Sequence, residues 1–160
     1  MAKGLGSGLP ISGIASRADI MDKWPAGTHG GTYGGGSAIA AAGASATLDV
    51  FAEENLTARA AEMGSYLVTR LRAMQSRYPV MGDVRGRGLM VGIEFTDHLG
   101  EPDAATTNVV VNHCVANNVL ILSCGSYKNV VRFIPPLVIS KEELDEGLAI
   151  FEQALAAAVG

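Results

Sequence analysis

Residues 89–95, Leu89-Met90-Val91-Gly92-Ile93-Glu94-Phe95, read as a β-strand and decide the fold of what surrounds them. The flanking sequence is largely helical. Upstream, Leu56, Ala60, Met63, Leu67, Leu71, Met74 and Tyr78 recur at spacings of three and four, which makes one continuous apolar helix stripe. Glu53 and Glu54 stand at the start of that stripe and Arg70, Arg72 and Arg77 near its end, matching the helix dipole, and Pro79 stops it. Downstream, residues 104–117 read as a helix, and residues 119–123 and 129–134 as short strands that turn at Gly125. Pro135-Pro136 ends the second of them. Ser140-Lys141-Glu142-Glu143 is a capping box that opens a last helix with Leu144, Leu148, Phe151 and Leu155 on one face. Residues 55–160 are thus expected to form an α+β unit, a small sheet covered by helices.

Residues 1–54 have another character. Loops surround one expected strand at 11–16 and a helical turn at 18–22, and an alanine-rich helix follows at 37–51. Its small side chains allow close backbone approach, so that helix is expected to be buried. No Pro- or Ser-rich linker separates the two parts, and no internal repeat is present.

The 160 residues include 48% hydrophobic and 18% charged side chains, a balance that excludes intrinsic disorder. No stretch approaches the ~18 apolar residues of a membrane-spanning helix, so no membrane partner is expected. The net charge of −4 argues against nucleic acid, which needs clustered Lys and Arg. The first residues lack the apolar run of a secretory signal, and the two cysteines fit a reduced, cytoplasmic protein. Cys114, Cys124, His29, His98 and His113 match no zinc spacing, and structural roles are expected for them. Glycine is in excess: there are 20, and ten fall in the first 36 positions.

Three features could carry chemistry. Lys3 stands beside glycines in Ala2-Lys3-Gly4-Leu5-Gly6-Ser7-Gly8-Leu9-Pro10, where a flat ligand can approach the amine closely. A lysine of this kind is either a Schiff-base nucleophile or a solvated terminal residue. Gly30-Gly31-Thr32-Tyr33-Gly34-Gly35-Gly36 precedes a helix, so its N–H groups and the Thr32 hydroxyl can hold a phosphate; the same sequence also suits a plain turn. It lacks the Lys-Ser/Thr ending of a P-loop. Arg132 lies within the apolar run Asn129-Val130-Val131-Arg132-Phe133-Ile134, where its planar fork calls for a carboxylate, from a ligand or from an internal salt bridge. Arg85 and Arg87 are weaker candidates, expected in a solvent-open glycine-rich loop.

Together these segments resemble the class III pyridoxal-phosphate-dependent aminotransferases. Residues 2–10 resemble the family's cofactor-lysine segment, and residues 30–35 resemble its phosphate-contacting threonine loop, with Thr32 placed 29 positions after Lys3. Gly82-Asp83-Val84-Arg85-Gly86-Arg87-Gly88-Leu89-Met90 resembles the opening of its C-terminal small domain. Residues 122–133, Leu122-Ser123-Cys124-Gly125-Ser126-Tyr127-Lys128-Asn129-Val130-Val131-Arg132-Phe133, are especially similar to the 4-aminobutyrate aminotransferase branch. The resemblance implies the α/β fold type I of pyridoxal-phosphate enzymes, represented here by the α+β small domain (55–160) and a remnant of the large domain (1–54). It implies that Lys3 carries pyridoxal phosphate and moves the substrate proton. Thr32 would hold the cofactor phosphate, reaching across a homodimer, and Arg132 would hold a substrate carboxylate. The implied reaction passes the amino group of 4-aminobutyrate or a similar ω-amino acid to a 2-oxo acid such as 2-oxoglutarate. Family members are more than twice as long, and their additional part precedes the lysine. The chain is therefore expected to be a C-terminal portion with little or no activity alone. The alternatives are a non-catalytic association module, or an aminomutase or racemase of the same fold.

Overall fold

The computed structural model describes residues 1–28 and 36–159. The chain divides into two units, Met1–Asn55 and Leu56–Gly160.

In the second unit, helix α3 (Leu56–Gln75) leads into strands β1 (Met81–Arg87) and β2 (Met90–Phe95). Helix α4 (Ala104–Ala116), strands β3 (Leu122–Cys124) and β4 (Val130–Phe133), and helix α5 (Lys141–Val159) complete it. The four strands form one antiparallel sheet in the order β1-β2-β4-β3. Strand alternation gives the sheet two faces. Val84, Val91, Ile93, Phe95, Val131 and Phe133 point to the core, where they meet Leu67, Leu71 and Met74 of α3, Val110 and Cys114 of α4, and Leu144, Leu148, Phe151 and Leu155 of α5. The rings of Phe133 and Phe151 lie edge to face with centroids 5.1 Å apart, a geometry favoured by the ring quadrupoles. Asp83, Arg85, Arg87, Met90, Gly92, Glu94, Val130 and Arg132 take the opposite register positions and form the outer face.

The helix ends follow local chemistry. The Ser140 hydroxyl accepts from the Glu143 N–H at 3.1 Å, and Glu143 accepts from the Ser140 N–H at 2.8 Å, so the capping box is closed. The Ser140 N–H, and after it the Ser140 hydroxyl, donate to the Glu143 carboxyl and hold it below its ordinary pKa. Asp103 caps α4 by accepting from the Thr106 N–H at 2.9 Å. Arg59 of α3 donates to the Leu137, Val138 and Ile139 carbonyls and so fixes the segment that leads into α5. Gly64 of α3 brings that helix against the β1–β2 turn: a Cβ there would lie 2.1 Å from the Gly88 carbonyl oxygen.

The first unit contains a 3₁₀ turn at Lys3–Gly6, a helical turn α1 (Ala18–Met21) and helix α2 (Ala38–Glu53), with Ser37 as its N-cap. Helix α2 buries only the stripe of Ala40 and Ala44, while Ile39 is 73% exposed and Leu48 58%. The expectation of a buried alanine-rich helix therefore holds for one face only. That face meets the 3₁₀ turn, and among the described residues of this unit no element covers the other. No strand forms at 11–16. Gly13 exchanges one pair of backbone hydrogen bonds with Met1, and no ladder extends it. Arg85 and Arg87, expected in a loop, lie on strand β1, because β2 supplies a continuous partner for all but the irregular step between Met81 and Asp83. Helix α3 stops at Gln75, three residues before Tyr78. No described helix is long and apolar enough to cross a membrane.

Two glycine substitutions separate packing from propensity. Gly64→Ala should lower the unfolding free energy by about 1–3 kcal/mol, because the Gly88 backbone must move. Gly147→Ala, at an α5 position with nothing within 4 Å of the added carbon, should raise it by about 0.5–1 kcal/mol. Urea denaturation measures both, and a Gly64→Ala variant as stable as the parent would contradict the close contact.

Candidate active site

Lys3 opens the 3₁₀ turn with φ 55° and is exposed. What fixes the turn is its packing on α2. Gly6 is buried, and a Cβ at Gly43 would meet Leu9 Cδ1 at 2.6 Å and the Gly6 carbonyl oxygen at 3.6 Å. The Ser7 and Thr47 hydroxyls are hydrogen-bonded at 2.9 Å. Of the glycines beside the lysine, Gly6 serves this packing, whereas a Cβ at Gly4 or Gly8 would meet nothing within 4 Å. Lys3 forms no ion pair among the described residues. Thr32 falls within residues 29–35 and lies outside the described residues.

Arg132 is on β4, opposite Gly92 of β2 on one side and Leu122 of β3 on the other. Gly92 is in turn opposite Arg85 of β1. One row across the outer face therefore reads Arg85, Gly92, Arg132, Leu122. The two arginines differ in their partners. Arg85 donates to Asp83 at 2.6 Å and to Glu94 at 2.7 Å, and these bonds, Asp83 first, raise its pKa. Arg132 has no ion pair among the described residues, and its Nε is buried without a hydrogen-bond partner. Gly92 has no side chain, and a hollow of about 380 Å³ opens beside it, lined by Arg85, Arg87, Met90, Cys124, Val130 and Arg132. A second hollow, about 730 Å³, also borders Arg132, with Leu122, Phe133, Ile134, Gly147 and Ile150 among its walls. A guanidinium so placed can bind a carboxylate through two parallel hydrogen bonds.

Arg85 and Arg87, expected in an open loop, are on β1, and Arg85 is committed to two acids. Sequence reasoning missed Asn129. It is buried, and its side chain donates to the Phe95 carbonyl at 3.0 Å and to Glu94 at 3.4 Å. Its signal was a polar residue at the head of an apolar strand. Lys3 and Arg132 belong to different units of the chain.

The cysteines also part company. Cys114 is fully buried, and desolvation pushes its thiol up to about 11. Cys124 is half-buried on the outer sheet face. Iodoacetamide at pH 8 should therefore label Cys124 and leave Cys114 unmodified until the unit unfolds. Because the folded thiol keeps its proton longer than the unfolded one, the Cys114 contribution to stability should fall as pH rises from 9.0 toward about 11. Equal labelling of both thiols in the native chain would contradict this placement.

The family model for Aminotransferase class-III matches residues 1–155. The chain is 42% identical to 5-aminovalerate aminotransferase of Pseudomonas putida over 97% of its own length and 36% of that protein's. It is 39% identical to 4-aminobutyrate aminotransferase of Escherichia coli over 95% of the chain and 36% of the relative. It is 38% identical to an alanine/serine racemase of Pyrococcus horikoshii over 96% and 32% respectively. Among solved structures, an amine transaminase from an uncultivated Pseudomonas species in its PLP-bound form superposes with a TM-score of 0.73 at 31% identity, over 82% of this chain and 30% of that one. The chain spans about a third of the length of the curated relatives it matches.

Proposed function

The chain belongs to the class-III aminotransferase family, and from that premise we propose that it supplies the cofactor lysine and the substrate-binding arginine of a pyridoxal-phosphate-dependent transaminase. The single observation that carries the reading is the Arg132 guanidinium. It stands beside a hollow with a buried, unpartnered Nε, whereas neighbouring Arg85 is paired with Asp83 and Glu94. The internal salt bridge that would explain a strand arginine is absent among the described residues.

The residues fit the cofactor's needs. Lys3 offers an exposed amine on a turn flanked by glycines, and Thr32 is the proposed phosphate ligand. When bound, pyridoxal phosphate supplies an electron sink for the carbon that loses its proton. In this reading Lys3 holds the cofactor covalently and afterwards serves as the base that moves the substrate proton. Arg132 holds the carboxylate of the amino donor in one half-reaction and of the 2-oxo acid in the other. That shared need for one carboxylate site is why a single arginine serves both. The relatives' names support an ω-amino acid such as 4-aminobutyrate or 5-aminovalerate as donor, and we take 2-oxoglutarate as the acceptor. The racemase relative supports a second reading, in which the same lysine returns the proton to an α-amino acid and no 2-oxo acid is consumed.

We place residues 1–54 in the cofactor-binding large domain and residues 55–160 in the small domain. The working form we propose is a cytoplasmic homodimer, supported by the two unpaired cysteines and by the exposed apolar side chains of Ile39, Leu48, Val50 and Phe51 on α2.

Borohydride reduction after incubation with pyridoxal phosphate, followed by peptide mass mapping, tests the lysine. The pyridoxyl group should sit on Lys3 and be lost in Lys3→Ala. Equal labelling of Lys3, Lys23, Lys128 and Lys141 would contradict a dedicated cofactor lysine.

A further inference from the structure

Glu94 occupies a symmetrical position in the sheet. It lies on β2, opposite Asp83 of β1 and Val130 of β4. Two residues back on the same face is Gly92, opposite Arg85 on β1 and Arg132 on β4. Glu94 therefore has one arginine as a diagonal neighbour on each flanking strand, and diagonal neighbours are within reach of long side chains. Gly92 places no side chain between them. In the structure Glu94 is bound on the Arg85 side: one carboxylate oxygen accepts from Arg85 at 2.7 Å, and the other faces the Asn129 amide at 3.4 Å. Asp83 would otherwise stand as a like charge directly opposite Glu94, and the same Arg85 nitrogen bonds it at 2.6 Å.

We propose that Arg85 is a positioning residue: by holding Glu94 and Asp83 together it keeps Glu94 off Arg132 and leaves the Arg132 guanidinium free for an incoming carboxylate. The functional part of this rests on the reading of Arg132 as the carboxylate site. The electrostatic part, that Arg85 decides which arginine Glu94 takes, stands on the sheet register and the hydrogen bonds alone. Sequestration leaves Arg132 without an ion pair among the described residues although an acid stands diagonal to it, and its buried, unbonded Nε is what such an arrangement produces. Asn129 assists by holding the far oxygen of Glu94 while its own backbone accepts from Phe95 N–H at 2.7 Å.

The test uses the 160-residue chain labelled with ¹⁵N-arginine, the Arg132 Nε–H resonance being identified as the one missing in Arg132→Met. Without ligand, Arg85→Met should shift that resonance toward the position of an ion-paired arginine, and Arg85→Met/Glu94→Gln should return it to the parent position. Glutarate, a dicarboxylate without an amino group, should bind Arg85→Met about three- to fivefold more weakly than the parent, the range of a partly exposed ion pair. The double variant should bind as the parent does. Arg85→Lys, which keeps a cation but gives up the fork, should fall between, and it serves if Arg85→Met does not fold. An Arg132 resonance unmoved by Arg85→Met or Arg85→Lys, or a shift that persists in the double variant, overturns the proposal. Glutarate that leaves the parent's Arg132 resonance unmoved overturns the carboxylate-site reading instead, while the ligand-free shifts still decide the role of Arg85.

Discussion

The pairing of β2 with β4 is the constraint on which the site depends. It sets Gly92 opposite Arg132, and the absence of a side chain at Gly92 keeps the space beside the guanidinium open. The same register puts Val91, Ile93, Val131 and Phe133 on the core side, so a one-residue slip of β4 would bury Arg132 and expose Val131 and Phe133. The core thus fixes the register, and the register fixes the arginine. Strand β1 adds the second layer of control by delivering Arg85 to Glu94, the acid diagonal to Arg132.

Close contacts account for several glycines outside the glycine-rich first segment. Gly64 against Gly88 joins α3 to the β1–β2 turn, and Gly43 against Gly6 and Leu9 joins α2 to the turn that carries Lys3. At Gly64 the glycine removes a side chain that would hold two backbones apart, and at Gly43 it leaves room for the tip of the Leu9 side chain, 2.6 Å from where a Cβ would stand. The Lys3 turn is therefore anchored by helix packing, which a lysine in a merely solvated terminus would not need.

Much of the second unit was legible in the sequence because its signals are local. The stripe on α3, the capping box of α5 and the apolar run of β2 each show within a few residues what they bury or bond. The misses were all questions of partnership. Arg85 and Arg87 look like loop residues because they stand among Gly86 and Gly88, which suit turns, and only pairing with β2 puts them on a strand. Residues 11–16 look like a strand and have only one pair of bonds to Met1. The small residues of α2 permit burial, but what covers a helix is not written in the helix. At the site, the arginine itself could be named from its apolar surroundings, whereas the division of labour between Arg85 and Arg132 is long-range and depends on register. Asn129 was missed for the same reason: its partners, Phe95 and Glu94, are on another strand.

The central claim is that Arg132 is an arginine kept free to receive a carboxylate. A crystal structure of the chain grown with 2-oxoglutarate tests it most directly. The account predicts a carboxylate group on the Arg132 guanidinium beside Gly92, with Arg85 still bound to Asp83 and Glu94. Arg132 paired with an acid of the chain, and no carboxylate bound beside Gly92, would contradict it.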